Sequence, residues 1–218
     1  MSFTLELFDR PEIPTIAVRS ARAKNARNMK STTVKFCFYT LLPSPFGTLA
    51  NVWQETTQGP KVQRIFLPRA GTPTEDLVQM AFVGASPRSC RGIAELGGRI
   101  QKFLQGEVVD FPLDAIALER CSEFQKRVLL AEHRIPRGWV STYGRIAREL
   151  GVSGGARAIG RALSHNPFPI IIPCHRACKS NGELGGFQGG PEMKRALLEL
   201  EGIEFSPRGK VLMNRVYY

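Results

Sequence analysis

The sequence predicts an α/β plus α fold: a small α/β domain followed by a mostly helical domain that contains a helix-turn-helix. Runs of β-branched and aromatic residues lie between residues 34 and 67, whereas apolar residues at helical spacing dominate after residue 119. Two short helical patterns then flank a glycine-rich break at residues 151–155. We expect four regions: a basic N-terminal extension (1–35), an α/β domain (36–115), a helical domain (116–207) and a C-terminal tail (208–218).

Three strands and one helix are expected in the α/β domain. The strands fall at residues 34–39, 48–53 and 62–67, where β-branched and aromatic residues recur. Apolar residues at positions 93, 96, 100 and 103 have helical spacing and predict a helix over residues 93–104. Residues 1–35 lack such a pattern, and we interpret them as a mobile basic arm or as a disordered terminus without a specific role.

Three helical patterns cover most of residues 119–163. The first is expected to end before Ile135-Pro136, and the others cover residues 142–150 and 156–163. The third helix carries small residues and two arginines outside its core face: Ala158, Gly160, Ala162, Arg157 and Arg161. Recognition helices of the major groove display longer polar side chains, so this pattern favours the minor groove with an inserted arginine. An alanine-rich core helix is the alternative.

A cysteine beside a histidine follows the third helix. Asn166-Pro-Phe-Pro169 ends that helix, and the apolar residues 170–172 predict a buried strand or extended segment that leads into Pro173-Cys174-His175-Arg176. Because thiolate is the reactive form of cysteine, the neighbours His175 and Arg176 predict a lowered pKa and a nucleophilic Cys174. A buried structural cysteine beside an unrelated histidine is the alternative.

A glycine-rich loop and a last helix complete the helical domain. Residues 179–190 contain one aromatic residue, Phe187, which could cover a planar ligand in a pocket lined by main-chain groups. A helix is expected over residues 192–200, with Gly202 as its C-cap.

The charge of the chain favours a polyanionic partner. Thirty Lys and Arg against nineteen Asp and Glu give a net charge of +11, and residues 121–218 alone carry fifteen basic and eight acidic residues. Nucleic acid is a better match than a membrane, because no apolar run is long enough to cross a bilayer. A solvated basic face is the alternative. Five scattered cysteines and the lack of a secretory signal pattern predict a reduced, intracellular protein.

The motifs of the helical domain resemble the O6-alkylguanine-DNA alkyltransferases, also called methylated-DNA–protein-cysteine methyltransferases. The resemblance runs from about Glu119 to Phe205 and rests on residues 135–138, 141–144, 156–160 and 166–176. Residues 36–115 resemble, less sharply, the ribonuclease-H-like N-terminal domain of that family. The resemblance does not explain residues 1–35.

This resemblance implies direct DNA repair. An alkyl group, most simply methyl, would move irreversibly from O6 of guanine, or O4 of thymine, to Cys174 after the base is flipped out of the duplex. His175 would accept the thiol proton through a water, and Glu201 would orient His175. Asn166 would brace the active-site turn, and Tyr143 would donate a hydrogen bond to the leaving purine. Each protein molecule would act once.

The resemblance also implies the DNA contacts. Arg157 would enter the base stack and fill the gap left by the flipped nucleotide. The other implied DNA-binding residues are Ala156, Ala158, Gly160, Arg161 and Ser180. The implied pocket residues are Pro169, Gly185, Phe187 and Gln188. The family often has Tyr and Ser where this chain has Phe187 and Gln188, which favours methyl over larger groups.

No metal or cofactor is expected, because the three histidines all lie in the C-terminal half and the displacement needs no redox chemistry. The implied partner is the minor groove of double-stranded DNA, bound by a monomer in the nucleoid or the nucleus. Two rival functions remain: an alkyltransferase-like protein that binds damage without transfer, and a helix-turn-helix regulator. Cys174 argues against the first, and the small-residue helix argues against the second.

Overall fold

A four-stranded mixed sheet forms the first part of the computed structural model, which describes residues 36–218. Strands β1 (Phe38–Leu42), β2 (Leu49–Thr56) and β3 (Gly59–Phe66) are antiparallel, and the short β4 (Ser86–Pro87) pairs with β1 in parallel. The strand order is β3-β2-β1-β4. The three predicted strands are confirmed, although β1 begins at Phe38. The predicted extension over residues 1–35 lies outside the described residues.

Helices cover both faces of this sheet. The helix α2 (Arg91–Leu104) buries Ile93, Leu96 and Ile100 against one face, as the apolar spacing predicts. The shorter α1 (Thr74–Ala81) covers the other face through Val78. Neither α1 nor β4 was predicted. The reason is that α1 buries a single apolar side chain and β4 has two residues, so neither leaves a periodic signal.

Four helices and a two-stranded parallel sheet form the second part. The helices are α3 (Glu123–His133), α4 (Tyr143–Glu149), α5 (Ala156–Ser164) and α6 (Gly190–Leu200), and the strands are β5 (Ser141–Thr142) and β6 (Ala177–Cys178). The predicted helices are confirmed with shifted ends. Helix α3 begins later than Glu119 because the Ser122 side chain accepts a hydrogen bond from the Gln125 N–H and caps the helix.

One hydrophobic cluster joins the two parts. It contains buried residues of β2, β3 and α2 together with residues of α3 to α6, for example Trp53, Ile100, Leu129 and Leu197. The predicted boundary near residue 115 therefore coincides with no break in the core, and the division into two domains stays a prediction. Within residues 36–218, no helix is long and apolar enough to cross a membrane, and no group of His, Cys, Asp and Glu side chains is placed to hold a metal ion.

Candidate functional site

The chain enters the site through a buried turn and not through the strand predicted over residues 170–172. A bridge between Pro169 and Ile172 closes this turn. Ile170 has a φ of 76°, which a β-branched residue adopts only when its surroundings enforce it. An apolar run therefore predicted burial correctly but could not reveal a left-handed residue.

Asn166 holds this turn together. Its Nδ2 donates to the carbonyl oxygen of Ile172 at 3.0 Å, and its Oδ1 accepts from the Phe168 N–H at 2.9 Å. Its own carbonyl oxygen accepts from Nε2 of Gln188 at 2.6 Å. Because Asn166 is fully buried, these hydrogen bonds fix the backbone two residues before Cys174.

Cys174 begins a short 3₁₀ turn, Cys174–Arg176. The carboxylate of Glu201 forms hydrogen bonds with the other two residues of this turn, His175 and Arg176. Nε2 of His175 lies 2.9 Å from Oε1 of Glu201. Arg176 donates to both carboxylate oxygens, from Nε at 2.9 Å and from Nη2 at 2.8 Å. The structure thus brings three predicted residues, Cys174, His175 and Glu201, into one buried cluster.

The end of α6 places Glu201 in this cluster. Glu201 itself is the C-cap, and Gly202, which was predicted as the C-cap, occupies the next position with a φ of 80°. The Gly202 N–H donates to the Glu199 carbonyl at 2.9 Å, and the Ile203 N–H donates to the Leu198 carbonyl at 3.0 Å. These two bonds form a Schellman motif, which ends the helix and turns the chain sharply after Glu201.

The charges of the cluster are set by burial and pairing. Burial alone would raise the pKa of Glu201, but His175 and Arg176 outweigh it and lower that pKa to about 2. Burial lowers the pKa of His175, which keeps the imidazole neutral. Its Nδ1 is buried and has no hydrogen-bond partner among the described residues. A neutral imidazole that donates from Nε2 to Glu201 carries an acceptor lone pair on Nδ1.

The thiol of Cys174 is protonated at neutral pH, contrary to the lowered pKa predicted from its neighbours. Burial raises the pKa of Cys174 to about 11. Arg176 cannot reverse this effect, because its guanidinium is already paired with Glu201. The prediction of a lowered pKa for Cys174 was therefore wrong, because residues adjacent in the sequence need not direct their charge at the sulfur.

A cavity of about 660 Å³ opens at Cys174. Residues of α4, α5 and the glycine-rich loop contribute its walls, and so does Arg69, from the loop after β3. The cavity brings together eight of the predicted site residues: Cys174, Tyr143, Ala156, Arg157, Gly160, Gly185, Phe187 and Gln188. Four of the residues predicted for the pocket or for DNA binding do not line the cavity. Pro169 is buried in the turn, and Ala158, Arg161 and Ser180 are exposed on the surface.

Tyr143 lies between two glycines in this cavity. A Cβ atom added to Gly160 would lie 3.9 Å from the Tyr143 ring, and one added to Gly185 would lie 2.6 Å from its hydroxyl oxygen. Burial raises the pKa of Tyr143 to about 12. Its hydroxyl is therefore a hydrogen-bond donor at every physiological pH.

Lys194 is a site residue that the sequence did not reveal as such. It is fully buried. Its Nζ donates to the carbonyl oxygens of Ala177 and Leu184, both at 2.6 Å, and of Gly186 at 3.3 Å. Lys194 thereby ties the glycine-rich loop to the strand after the Cys174 turn. Its place on the buried face of α6, next to Met193, was the available signal.

Comparison with known proteins identifies the second part of the chain. Residues 123–203 match the family model described as the DNA-binding domain of 6-O-methylguanine DNA methyltransferase. A methylated-DNA–protein-cysteine methyltransferase of Mycolicibacterium paratuberculosis is 37% identical over 165 residues, which are 75% of this chain and 91% of that protein. The enzyme of the same name from Methanothermobacter thermautotrophicus is 46% identical over 111 residues, which cover 51% of this chain and 62% of that protein.

Solved structures resemble most of the described region. Mycobacterium tuberculosis OGT in complex with DNA superposes with a TM-score of 0.61 at 33% identity, over 75% of this chain and 92% of that one. O6-methylguanine-DNA methyltransferase from Pyrococcus kodakaraensis superposes with a TM-score of 0.57 at 25% identity, over 76% of this chain and 100% of that one. Both share the arrangement of a mixed sheet followed by helices.

Proposed function

Because the chain belongs to the methylated-DNA–protein-cysteine methyltransferase family, we propose that it repairs DNA by transferring a methyl group from O6 of guanine to Cys174. The observation that carries this proposal is the position of Cys174, whose turn is fixed by Asn166 and whose side chain lines a 660 Å³ cavity. The S–C bond forms as the C–O6 bond breaks. The product is a neutral thioether, which is a poor leaving group, so each protein molecule acts once. O4 of methylated thymine presents the same kind of bond.

The cluster of His175 and Glu201 removes the thiol proton during transfer. Since the pKa of Cys174 is about 11, its proton must leave as the sulfur attacks. Nδ1 of His175 accepts that proton through a water, and the Glu201 carboxylate, 2.9 Å from Nε2, stabilises the resulting imidazolium. The same contact fixes the tautomer that leaves Nδ1 free.

Tyr143 stabilises the leaving guanine. Its hydroxyl lines the cavity that holds Cys174 and stays protonated, with a pKa of about 12. Negative charge develops on the purine as the C–O6 bond breaks, and a donor held in place before the reaction stabilises that charge. Guanine then takes up one proton, which balances the proton that the thiol loses.

DNA enters through α4 and α5, which we assign as a helix-turn-helix. The turn over residues 150–155 joins the two helices, and Ala156, Arg157 and Ala158 are exposed at the start of α5. The small side chains of the two alanines allow the helix to approach the minor groove closely. Arg157, which also lines the cavity, replaces the flipped nucleotide in the base stack. Extruding a base from the duplex costs roughly a few kcal/mol. A side chain that fills the gap favours repair, because it offsets part of this cost.

We also propose that the protein is a monomer and that its first part is ribonuclease-H-like. The order β3-β2-β1-β4, with only β4 parallel to its neighbour, supports that assignment for the sheet. Phe187 and Gln188 narrow the pocket, and the amide of Gln188 is held by the Asn166 carbonyl. The pocket is therefore suited to a methyl group better than to a bulky adduct.

The experiment is an intact-mass measurement after incubation with a duplex that contains O6-methylguanine. We expect the protein to gain the mass of one methylene group, the gain to map to Cys174, and Cys174→Ser to show no gain. Binding to the damaged duplex without a gain would identify a damage-binding protein instead. Preference for one undamaged sequence would identify a transcription regulator.

A further inference from the structure

Glu132 is a buried acid that the proposed mechanism does not use. It lies on α3, which packs against the Cys174–Arg176 turn, and its side chain has no exposure to solvent. No side chain within residues 36–218 donates a hydrogen bond to its carboxylate, and the Ala177 backbone N–H is the only donor that favours its charged form. Such an acid in the core destabilises a protein, because burial removes its hydration and a single backbone donor replaces little of it. A purely structural role would be better served by an apolar side chain.

The cations nearest to Glu132 are occupied elsewhere. Lys194 of α6 uses its three donors on carbonyl oxygens, and Arg176 of the turn donates to Glu201 and to the Ile135 carbonyl. Both lower the pKa of Glu132 by their charge, but burial outweighs them and raises it to about 8. Glu132 is therefore mostly a neutral acid at pH 7 and mostly a carboxylate at pH 9.

Glu132 acts electrostatically on the reacting thiol. A carboxylate at this position raises the pKa of Cys174 on the turn, of Tyr143 on α4 and of Cys178 on β6. Among residues 36–218, no other carboxylate shifts the pKa of Cys174. The groups that face Glu132 from the surrounding elements are thus Lys194, Arg176, Cys174, Tyr143 and Cys178.

We propose that Glu132 controls the reactivity of Cys174: the neutral acid permits loss of the thiol proton, and the carboxylate opposes that loss by like-charge repulsion. The proposal rests on the transfer function proposed above. Glu132 is a positioning residue in this scheme, because it acts through Cys174 and transfers no proton to the substrate or to the sulfur. The sulfur still gives its proton to His175, and the methyl group still moves from O6 to the sulfur.

The first test compares single-turnover transfer rates of the wild type and of Glu132→Gln at pH 6.5 and pH 9. Glutamine keeps the shape of the neutral acid and cannot ionise. We expect the two rates to agree within about twofold at pH 6.5, and the variant to be about threefold to tenfold faster at pH 9, where one pKa unit corresponds to about tenfold. Glu199→Gln, which removes an exposed acid of α6, is the matched control and should follow the wild type at both pH values.

The second test does not depend on methyl transfer. The rate at which iodoacetamide alkylates Cys174, followed by peptide mass spectrometry, reports the apparent pKa of this thiol. We expect a lower apparent pKa in Glu132→Gln and in Glu132→Leu than in the wild type. An equal rate ratio at both pH values, or equal apparent pKa values, would overturn the proposal. If the wild type transfers no methyl group at any pH, the proposed function fails, and the alkylation experiment still decides the role of Glu132.

Discussion

Gly185 packs so closely against Tyr143 that a Cβ added there would lie 2.6 Å from the tyrosine hydroxyl oxygen. Gly185 has a φ of 70°, and its missing Cβ leaves the space that the Tyr143 hydroxyl occupies. The neighbouring Gly186 has no atom within 4 Å of the position of a Cβ. The loop therefore contains one glycine required by contact and one that is not.

Gly185→Ala should slow transfer by about tenfold or more, because the added methyl group displaces a donor that stabilises the leaving guanine. Stopped-flow or quenched single-turnover kinetics on an O6-methylguanine duplex measure this rate. Gly186→Ala is the control and should stay within about twofold of the wild type. Equal rates for the two variants would show that the contact between Gly185 and Tyr143 is unimportant.

Some residues of the site were readable from the sequence and others were not. Cys174 and His175 are adjacent and follow a proline, so they could be recognised directly. Glu201 lies 26 positions from His175, and it entered the prediction only through the resemblance to a family. Lys194 and Glu132 were not recognised, because burial of a charge depends on tertiary packing and leaves no local pattern.

At the scale of elements, α5 combines a buried face with an exposed one that has almost no bulk. Ile159 and Leu163 pack into the core, whereas Ala156, Arg157 and Ala158 are exposed. Arg157 also lines the cavity that contains Cys174. One short helix therefore connects the proposed DNA surface to the cavity at Cys174.

Arg157→Ala should slow repair in duplex DNA far more, by at least tenfold, than reaction with O6-methylguanine as a free base. The proposed role of Arg157 is to fill the gap in the base stack, and a free base leaves no gap. Rates on both substrates measure the difference. Arg161→Ala, which lies one turn later and does not line the cavity, should lose much less. Equal losses on both substrates would remove the role assigned to Arg157.

The sequence predicted long periodic elements better than short irregular ones. Helices α2 to α6 were anticipated because their apolar residues repeat at helical spacing. The turn at residues 170–172 was mistaken for a strand, since three isoleucines favour burial equally in either conformation. The turn is closed by hydrogen bonds of the Asn166 side chain with Phe168 and Ile172, which an apolar pattern does not reveal.

At the scale of the whole molecule, the buried acid makes stability depend on pH. The pKa of Glu132 is about 8 in the folded protein, whereas the ordinary pKa of a glutamate is 4.5. The folded state therefore binds a proton that the unfolded state releases, and its stability falls as the pH rises from 4.5 to 8. This fall opposes the gain from Glu201, whose pKa of about 2 stabilises the fold above pH 4.5.

Glu132→Gln should remove this loss. At each pH, the unfolding free energy of the wild type is subtracted from that of the variant. This difference should grow by about 3 kcal/mol from pH 5 to pH 7, because each pH unit costs the wild type about 1.4 kcal/mol. Urea unfolding at several pH values measures it. Glu199→Gln is the control, because its side chain is half exposed. Parallel pH profiles for the wild type and Glu132→Gln would contradict the assignment of a neutral acid.

The stoichiometry of repair tests the central claim most directly. With the O6-methylguanine duplex in excess, the amount of restored guanine should rise to one per protein molecule and then stop, and Cys174→Ser should restore none. Continued turnover beyond one equivalent, or undiminished repair by Cys174→Ser, would contradict irreversible transfer to this cysteine.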